Sequence, residues 1–185
     1  MLTNRKEILI EWGDCDPFGI VFFPRYFEYF DACTNALFHK ALGFPKAEML
    51  KRFQIAGIPL VQAGCNFFVP SSFGDVVSVE SCVTNWGTSS FSVQHRLFRG
   101  ETLAVEGLEK RVWTVRVPGD PTKAKSHAIP RGVIENFQVA ARTGERRAGK
   151  IPPLPTGVFV DVVENKGDAA ASVRMYVHRK ELGEI

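Results

Sequence analysis

The sequence predicts an α+β fold in which a curved antiparallel sheet wraps one long central helix, followed by a C-terminal extension. Three observations predict it. One helix-like segment is apolar around most of its circumference. Several long strand-like segments follow it, joined by short connectors. One of those segments alternates apolar and polar side chains with a period of two.

Residues 5–12 read as a first strand, with Ile8 and Ile10 on one face. The stretch that follows, Gly13-Asp14-Cys15-Asp16-Pro17-Phe18-Gly19, is rich in turn formers. Pro24 stands where a helix can begin, because proline at the first helical position loses no needed N–H. Residues 26–42 read as one helix, with Tyr26, Phe27, Tyr29, Phe30, Cys33, Ala36, Leu37 and Ala41 spread around it. A helix so apolar must be enclosed by other structure. Gly43 and Pro45 end it, and a short second helix is expected over residues 47–53.

Strands are expected over residues 58–69, 76–86, 90–98 and 102–117. In the third, Phe91, Val93, His95 and Leu97 alternate with Ser92, Gln94 and Arg96, as in a half-buried antiparallel strand. Short connectors such as Gly87-Thr88-Ser89 and Gly100-Glu101 favour a meander. A strand, an apolar helix and then four strands are satisfied together by a sheet curled around the helix, the hotdog arrangement. Such a sheet has open edges, so two subunits are expected to pair edge to edge. This domain is expected over residues 1–130. Residues 131–185 form the extension: a short helix at 131–142, a basic run at 142–150, a stiff Ile151-Pro152-Pro153-Leu154-Pro155 linker, and strands at 157–163 and 172–178 around Asn165-Lys166-Gly167-Asp168.

A chain of 185 residues fits one domain with an appendage, and 45% hydrophobic with 23% charged residues is ordinary for a globular protein. The net charge of +3 neither demands nor excludes nucleic acid, and suits a small phosphorylated ligand. Cys15, Cys33, Cys65 and Cys82 form no CxxC pair, and His39, His95, His127 and His178 show no metal spacing. His95, on the apolar face of its strand, reads as a hydrogen-bonded core histidine. Free thiols, no signal-peptide pattern and no membrane-length apolar stretch lead us to expect a cytoplasmic protein with no membrane or nucleic-acid partner.

The chemistry is expected at Gly13 to Pro24. Two carboxylates lie in a Gly/Pro-bounded loop just before a helix start, where unpaired N–H groups and the helix dipole favour negative charge. A carbonyl oxygen gaining charge during acyl transfer is stabilised there, and a nearby carboxylate can attack the carbonyl or activate water. From composition alone, Asp14 and Asp16 read first as turn formers or helix caps, because such turns are frequent.

Gly13-Asp14-Cys15-Asp16-Pro17, then Gly19-Ile20-Val21, the aromatic pair Phe22-Phe23, Pro24 and Tyr26, resembles the 4-hydroxybenzoyl-CoA thioesterase family in its Pseudomonas-type branch. Phe30-Asp31-Ala32, Pro59-Leu60-Val61, Cys65-Asn66, Asp75-Val76-Val77, Glu80-Ser81-Cys82, Trp86 and Ser90-Phe91 fall in register, so the resemblance covers about residues 6–130. It implies a hydrolase that splits an aromatic acyl-CoA into free acid and CoA, with no metal and no cofactor beyond the CoA of its substrate. Asp16 matches the nucleophile or general base. Phe23 matches the residue whose backbone N–H polarises the thioester oxygen. Asp31 matches a helix aspartate near the aromatic end of the acyl site, and Ser90 the loop near pantetheine and nucleotide. Lys123 and Lys125 stand near where the family places a nucleotide-binding arginine.

Two departures bear on substrate choice. Gly87-Thr88-Ser89-Ser90 carries small polar residues where basic ones are expected by analogy. Ile58 stands where a small hydroxyl residue is expected, which argues for a less polar acyl pocket and against strict 4-hydroxybenzoyl preference. The alternatives are a thioesterase for fatty acyl-CoA or acyl carrier protein, and a non-catalytic acyl-CoA binding protein. A homodimer, or a tetramer of two dimers, is expected. The active site is expected at the dimer interface, so residues near Ile58 would serve the neighbouring subunit.

Overall fold

In the computed structural model, which describes residues 1–143, 158–163 and 172–176, the long helix lies across a curved antiparallel sheet. The elements run β1 (Thr3–Leu9), α1 (Pro24–Leu42), α2 (Lys46–Arg52), β2 (Leu60–Phe67), β3 (Val76–Trp86), β4 (Ser90–Arg99), β5 (Thr102–Val112), β6 (Thr114–Val117), β7 (Asp120–Ser126), α3 (Arg131–Thr143), β8 (Val158–Val163) and β9 (Ser172–Tyr176). The main sheet has the order β1-β3-β4-β5-β2-β8-β9, and β6 and β7 form a separate hairpin. This is the hotdog arrangement the sequence predicts.

Local chemistry accounts for α1. Pro24 opens it without sacrificing a needed N–H. Tyr26, Phe30, Cys33, Leu37, Phe38 and Ala41 are buried on its sheet-facing side, at the three- and four-residue spacings of one helical face. Burying each large apolar side chain is worth about 1.5–3 kcal/mol. On β4, Phe91, Val93, His95 and Leu97 are all buried as expected, but Gln94 on the opposite face is buried too, donating to Glu106 at 2.9 Å. At Gly107 of β5 the Phe30 ring of α1 lies so close that a Cβ there would overlap it. Phe30 also stacks on His95, with ring centroids 4.6 Å apart.

The core has two apolar halves. One gathers Ile10, Tyr26, Phe30, Val77, Val79 and Leu97; the other gathers Leu37, Phe38, Val83, Phe91, Val93, Trp113, Val133 and Phe137. Between them runs a polar band. On β3, Ser81 separates Val79 from Val83; on β4, His95 separates Val93 from Leu97; on α1, Thr34 lies between Cys33 and Leu37. Through Val133 and Phe137, α3 completes the second half.

The strand expected over residues 102–117 is two strands. Its chain leaves β4 at Trp113, whose ring is fully buried and whose backbone N–H donates to the Ser89 carbonyl at 2.7 Å, and Thr114 then bonds to Gly57. Next comes β7, which the sequence reading lacks. The signal was Pro118-Gly119: with Gly119 at φ +81° and Val117 opposite Asp120, these two residues make the tight turn that proline and glycine favour. The first strand ends at Leu9 rather than residue 12, because Trp12–Asp14 winds into a short 3₁₀ turn held by the Asp14 carboxylate on the Glu11 N–H.

In the extension, β8 pairs antiparallel with β2 and with β9, so the two expected strands do pair. The Asn165-Lys166-Gly167-Asp168 turn, the linker at 151–155 and all of the basic run beyond residue 143 lie outside the described residues. Among the described residues, no helix is long and apolar enough to cross a membrane, and no three His, Cys, Asp or Glu side chains are grouped to hold a metal.

Candidate active site

Two clefts follow one another along α1, and the residues singled out from the sequence divide between them. The first lies at the helix start. The chain from Asp14 to Phe22 doubles back on itself: Cys15 bridges Val21, the Asp16 N–H bonds to Ile20 at 2.8 Å, and the Phe22 N–H bonds to Asp14 at 2.8 Å. This backbone ladder holds Asp16 alongside the residues that lead into Phe23.

The two aspartates of the loop are not equivalent. Both oxygens of Asp14 are engaged, one accepting from the Glu11 N–H at 3.0 Å and the other facing Arg25 at 3.8 Å. Arg25 also donates to the Gly13 carbonyl at 3.3 Å, which fixes the loop to the first turn of α1. Burial, and then the nearby Asp14 carboxylate, push the Tyr29 phenol above its usual range. Asp16 is half-buried and uses only Oδ1, which accepts from the Phe18 N–H at 2.9 Å. Its Oδ2 has no hydrogen-bond partner among the described residues.

At the helix start, the N–H groups of Arg25 and Tyr26 turn back to Phe22 and Phe23, at 2.9 and 3.2 Å. Pro24 has no N–H. That leaves the Phe23 N–H as the donor without a partner among the described residues, at the positive end of the α1 dipole. Phe23 lines an apolar cleft of about 310 Å³ with Ile20, Tyr26, Phe67, Val69 and Pro70.

The second cleft, of about 510 Å³, opens beside the middle of α1. It brings Asp31 and Ile58 together with Lys46, Leu60, Thr114 and Arg111. The Ile58 side chain is buried, at 3% exposure, while its carbonyl accepts from Arg111 Nη1 at 3.2 Å. Asp31 Oδ1 accepts from Arg111 Nη2 at 2.7 Å, and Oδ2 from Asn35 at 3.0 Å. The cleft is therefore more polar than Ile58 alone suggests.

Arg111 belongs to the buried polar band. It grips Glu109 with two bonds, Nε to Oε2 at 2.8 Å and Nη2 to Oε1 at 2.9 Å. Thr34 donates to Glu109 at 2.7 Å, His95 Nε2 lies 3.4 Å from the same carboxylate, and Ser81 Oγ is 2.8 Å from His95 Nδ1. Burial alone would raise the Glu109 carboxyl, but hydrogen bonds and charge from His95 and Arg111 outweigh it and bring it down to about 2. Burial likewise opposes the Arg111 charge, and Glu109 with Asp31 more than restores it. His95 is thus a hydrogen-bonded core histidine.

The remaining candidates stand apart. Ser90 begins β4 at the Trp86 and Trp113 end of the sheet and lines neither cleft. Lys123 and Lys125 are exposed on β7, and Lys123 pairs with Asp120 at 3.1 Å. They flank Ala124, which lines the second cleft, so strand alternation turns both lysines to the other face.

Comparison with known proteins gives the family. The thioesterase-like superfamily pattern matches residues 10–158. The 4-hydroxybenzoyl-CoA thioesterase of Pseudomonas sp. (strain CBS-3) is 32% identical over 128 residues, which span 68% of this chain and 91% of that protein. The chain belongs to the thioesterase-like superfamily, in the 4-hydroxybenzoyl-CoA thioesterase family. Among solved structures, an aspartate-to-asparagine variant of 4-hydroxybenzoyl-CoA thioesterase, complexed with 4-hydroxybenzoyl-CoA, matches with TM-score 0.66 at 28% identity and covers 73% of this chain and 98% of its own. A gentisyl-CoA thioesterase matches with TM-score 0.62 at 31% identity and covers 71% of this chain and 99% of its own.

Proposed function

We propose that this protein hydrolyses hydroxyaryl-CoA thioesters to the free acid and CoA. Asp16 acts at the carbonyl carbon and the Phe23 N–H at the carbonyl oxygen. One observation carries the reading: at the start of α1 a single unpartnered N–H, that of Phe23, stands beside a loop carboxylate with one oxygen free. As the carbon becomes tetrahedral, its oxygen gains charge, and a fixed donor at a helix N-terminus stabilises that state. The apolar cleft beside it, with the Phe22 and Phe23 rings once a partner covers them, would keep bulk water from it.

Asp16 takes a proton from water as that water attacks, or attacks the carbon itself to give an anhydride that water then opens. In both routes the C–S bond breaks and CoA leaves as the thiolate. The relatives named for 4-hydroxybenzoyl and gentisyl thioesters support an aromatic acyl group. So does the spacing: Asp31 is eight residues beyond Phe23, about 12 Å along the helix. An aromatic ring with a hydrogen bond at each end covers that reach.

Trp12, Phe18, Phe22, Phe23, Phe67 and Phe73 are all more than 40% exposed around the Asp16 loop. An apolar surface of that kind is usually covered by a partner, which supports a dimer closing over the site. The test is thiol release from 4-hydroxybenzoyl-CoA, gentisyl-CoA and an aliphatic acyl-CoA. Aromatic thioesters should turn over fastest, and Asp16→Asn should lose about 10²–10⁴-fold in kcat. Wild-type turnover in that variant would refute the assignment.

A further inference from the structure

The first turn of α1 carries a charge of the wrong sign. The positive end of a helix dipole favours acids, yet that turn holds no acid and holds Arg25 instead. Stability is a poor reason for it, because Arg25 and its partner Glu28 are 39% and 61% exposed, and exposed pairs add little. The contacts point to the loop. Arg25 Nη1 donates to Glu28 Oε2 at 2.7 Å, three residues along the helix, which aims the guanidinium. Nη2 then donates to the Gly13 carbonyl at 3.3 Å, and Nε faces Asp14 Oδ1 at 3.8 Å. The loop is thus tied twice to one turn of helix: by the chain at Phe23, and by this side chain at Gly13 and Asp14. The peptide that carries the Phe23 N–H hangs from that tie. The Phe22 N–H donates to the Asp14 carbonyl at 2.8 Å, and the Phe22 carbonyl accepts from the Arg25 N–H at 2.9 Å.

We infer that Arg25 is a positioning residue for the hydrolysis: it holds the loop at Gly13 and Asp14, offsets the Asp14 charge, and so keeps Asp16 and the Phe23 N–H aligned on one carbonyl. The inference deepens the thioesterase reading and rests on it for the roles of those two groups. Asp14 stands two residues before Asp16. Left unpaired, its carboxylate would oppose the negative charge that grows on the thioester oxygen. Geometry and charge therefore call for the same cation at the same place. Lysine supplies the charge, but its single ammonium is no fork that reaches Glu28, Asp14 and Gly13 together.

Arg25→Met keeps the length of the side chain and drops its charge. It should lower kcat on 4-hydroxybenzoyl-CoA about ten- to hundred-fold, the scale that a small misplacement costs, with KM within about two-fold of wild type. Its melting temperature should be no lower, because a charge opposed to the helix dipole is gone. Arg25→Lys should recover part of the lost rate. Adding Asp14→Asn to Arg25→Met should raise kcat a few fold above that of Arg25→Met alone, because the unpaired charge then goes too. A structural tie alone predicts the reverse, a lower melting temperature with kcat kept. That pattern, or full kcat in Arg25→Met, would overturn the inference. Hydrogen exchange by NMR reads the alignment without turnover. The Phe22 amide should exchange at least about ten-fold faster in Arg25→Met, while amides in the middle of α1 stay as protected as in wild type. An unchanged Phe22 amide would overturn the inference even if kcat fell. No thiol release from wild type would overturn the hydrolysis reading alone, and the exchange rate would still decide whether Arg25 holds the loop.

Discussion

The Asp16 loop and the Glu109–Arg111 band are built in opposite ways. The loop is local: ten or so consecutive residues fold back through backbone hydrogen bonds, and its key groups are half-exposed. The band is assembled from α1, β3, β4 and β5, and its members Thr34, Ser81, His95, Glu109 and Arg111 are all buried. In the loop, strength comes from the main chain and side chains are free to react. In the band, side chains satisfy one another and the main chain merely delivers them. Changes in the loop should therefore alter rate and spare stability, and changes in the band should do the reverse.

The largest effect tests the first half of that contrast. Asp16→Asn keeps an oxygen to accept from the Phe18 N–H, so the turn survives. We expect the 10²–10⁴-fold loss in kcat with a melting temperature within about a degree of wild type, checked by calorimetry on the same sample. A large drop in melting temperature would mean that the carboxylate is structural and the two regions are not separable.

The pH dependence of stability tests the second half. The folded Glu109 carboxyl titrates at about 2, against an ordinary value of 4.5. A depressed folded value means that the stabilisation is fully present above about pH 4.5 and is lost as pH falls toward 2. The shift corresponds to about 3 kcal/mol. Urea unfolding from pH 6 to pH 2.5 should show this loss in wild type. The charge-removed double variant Arg111→Met with Glu109→Gln should show a flatter profile. Equal slopes would mean that Glu109 gains no more from its partners than the unfolded chain does.

How much could be read from sequence follows the same division. The loop from Gly13 to Pro24 stood out because turn formers, a helix-starting proline and two acids sit within a dozen residues, while the choice of Asp16 and the Phe23 N–H within it came from the family resemblance. Arg111 and Glu109 were not singled out. On a strand they read as a solvated charged face, and only pairing with β4 and coverage by α1 bury them. A faint signal existed: Val105, Gly107, Glu109, Arg111 and Trp113 share one parity, and a mid-strand glycine marks a close approach. Asp31 was singled out, but its partner eighty positions away could not be. The turn at Pro118-Gly119 was legible and still missed, because the weak alternation after it hid a strand that packs as a separate hairpin.

Gly107 joins the two regions, since the Phe30 ring seated on it stacks on His95 of the band and belongs to the apolar half next to the loop. A Cβ there would sit 2.8 Å from Phe30 Cδ2 and closer still to Cε2. Gly107→Ala should cost about 1–3 kcal/mol as α1 is pushed off the sheet, measured by urea denaturation. Because Phe23 caps the start of α1, kcat should fall by a few fold as well, a coupling that neither Asp16→Asn nor the band variant should show. If stability drops and kcat does not, the helix start is positioned by the loop alone, and the contrast between the regions is sharper than drawn.

The smallest effect concerns Lys123 and Lys125, which belong to neither region. Both are exposed on one face of β7, turned away from the second cleft. If they hold CoA phosphates, it is over the outer surface of the β6–β7 hairpin, in water, where each contact is weak and salt-screened. Replacing both with alanine should raise KM for an acyl-CoA by roughly two- to five-fold at low salt, with kcat unchanged, and the difference should vanish in strong salt. A KM that does not move would place the phosphates elsewhere. The small polar loop Gly87-Thr88-Ser89-Ser90 would then need a basic surface supplied by a second subunit.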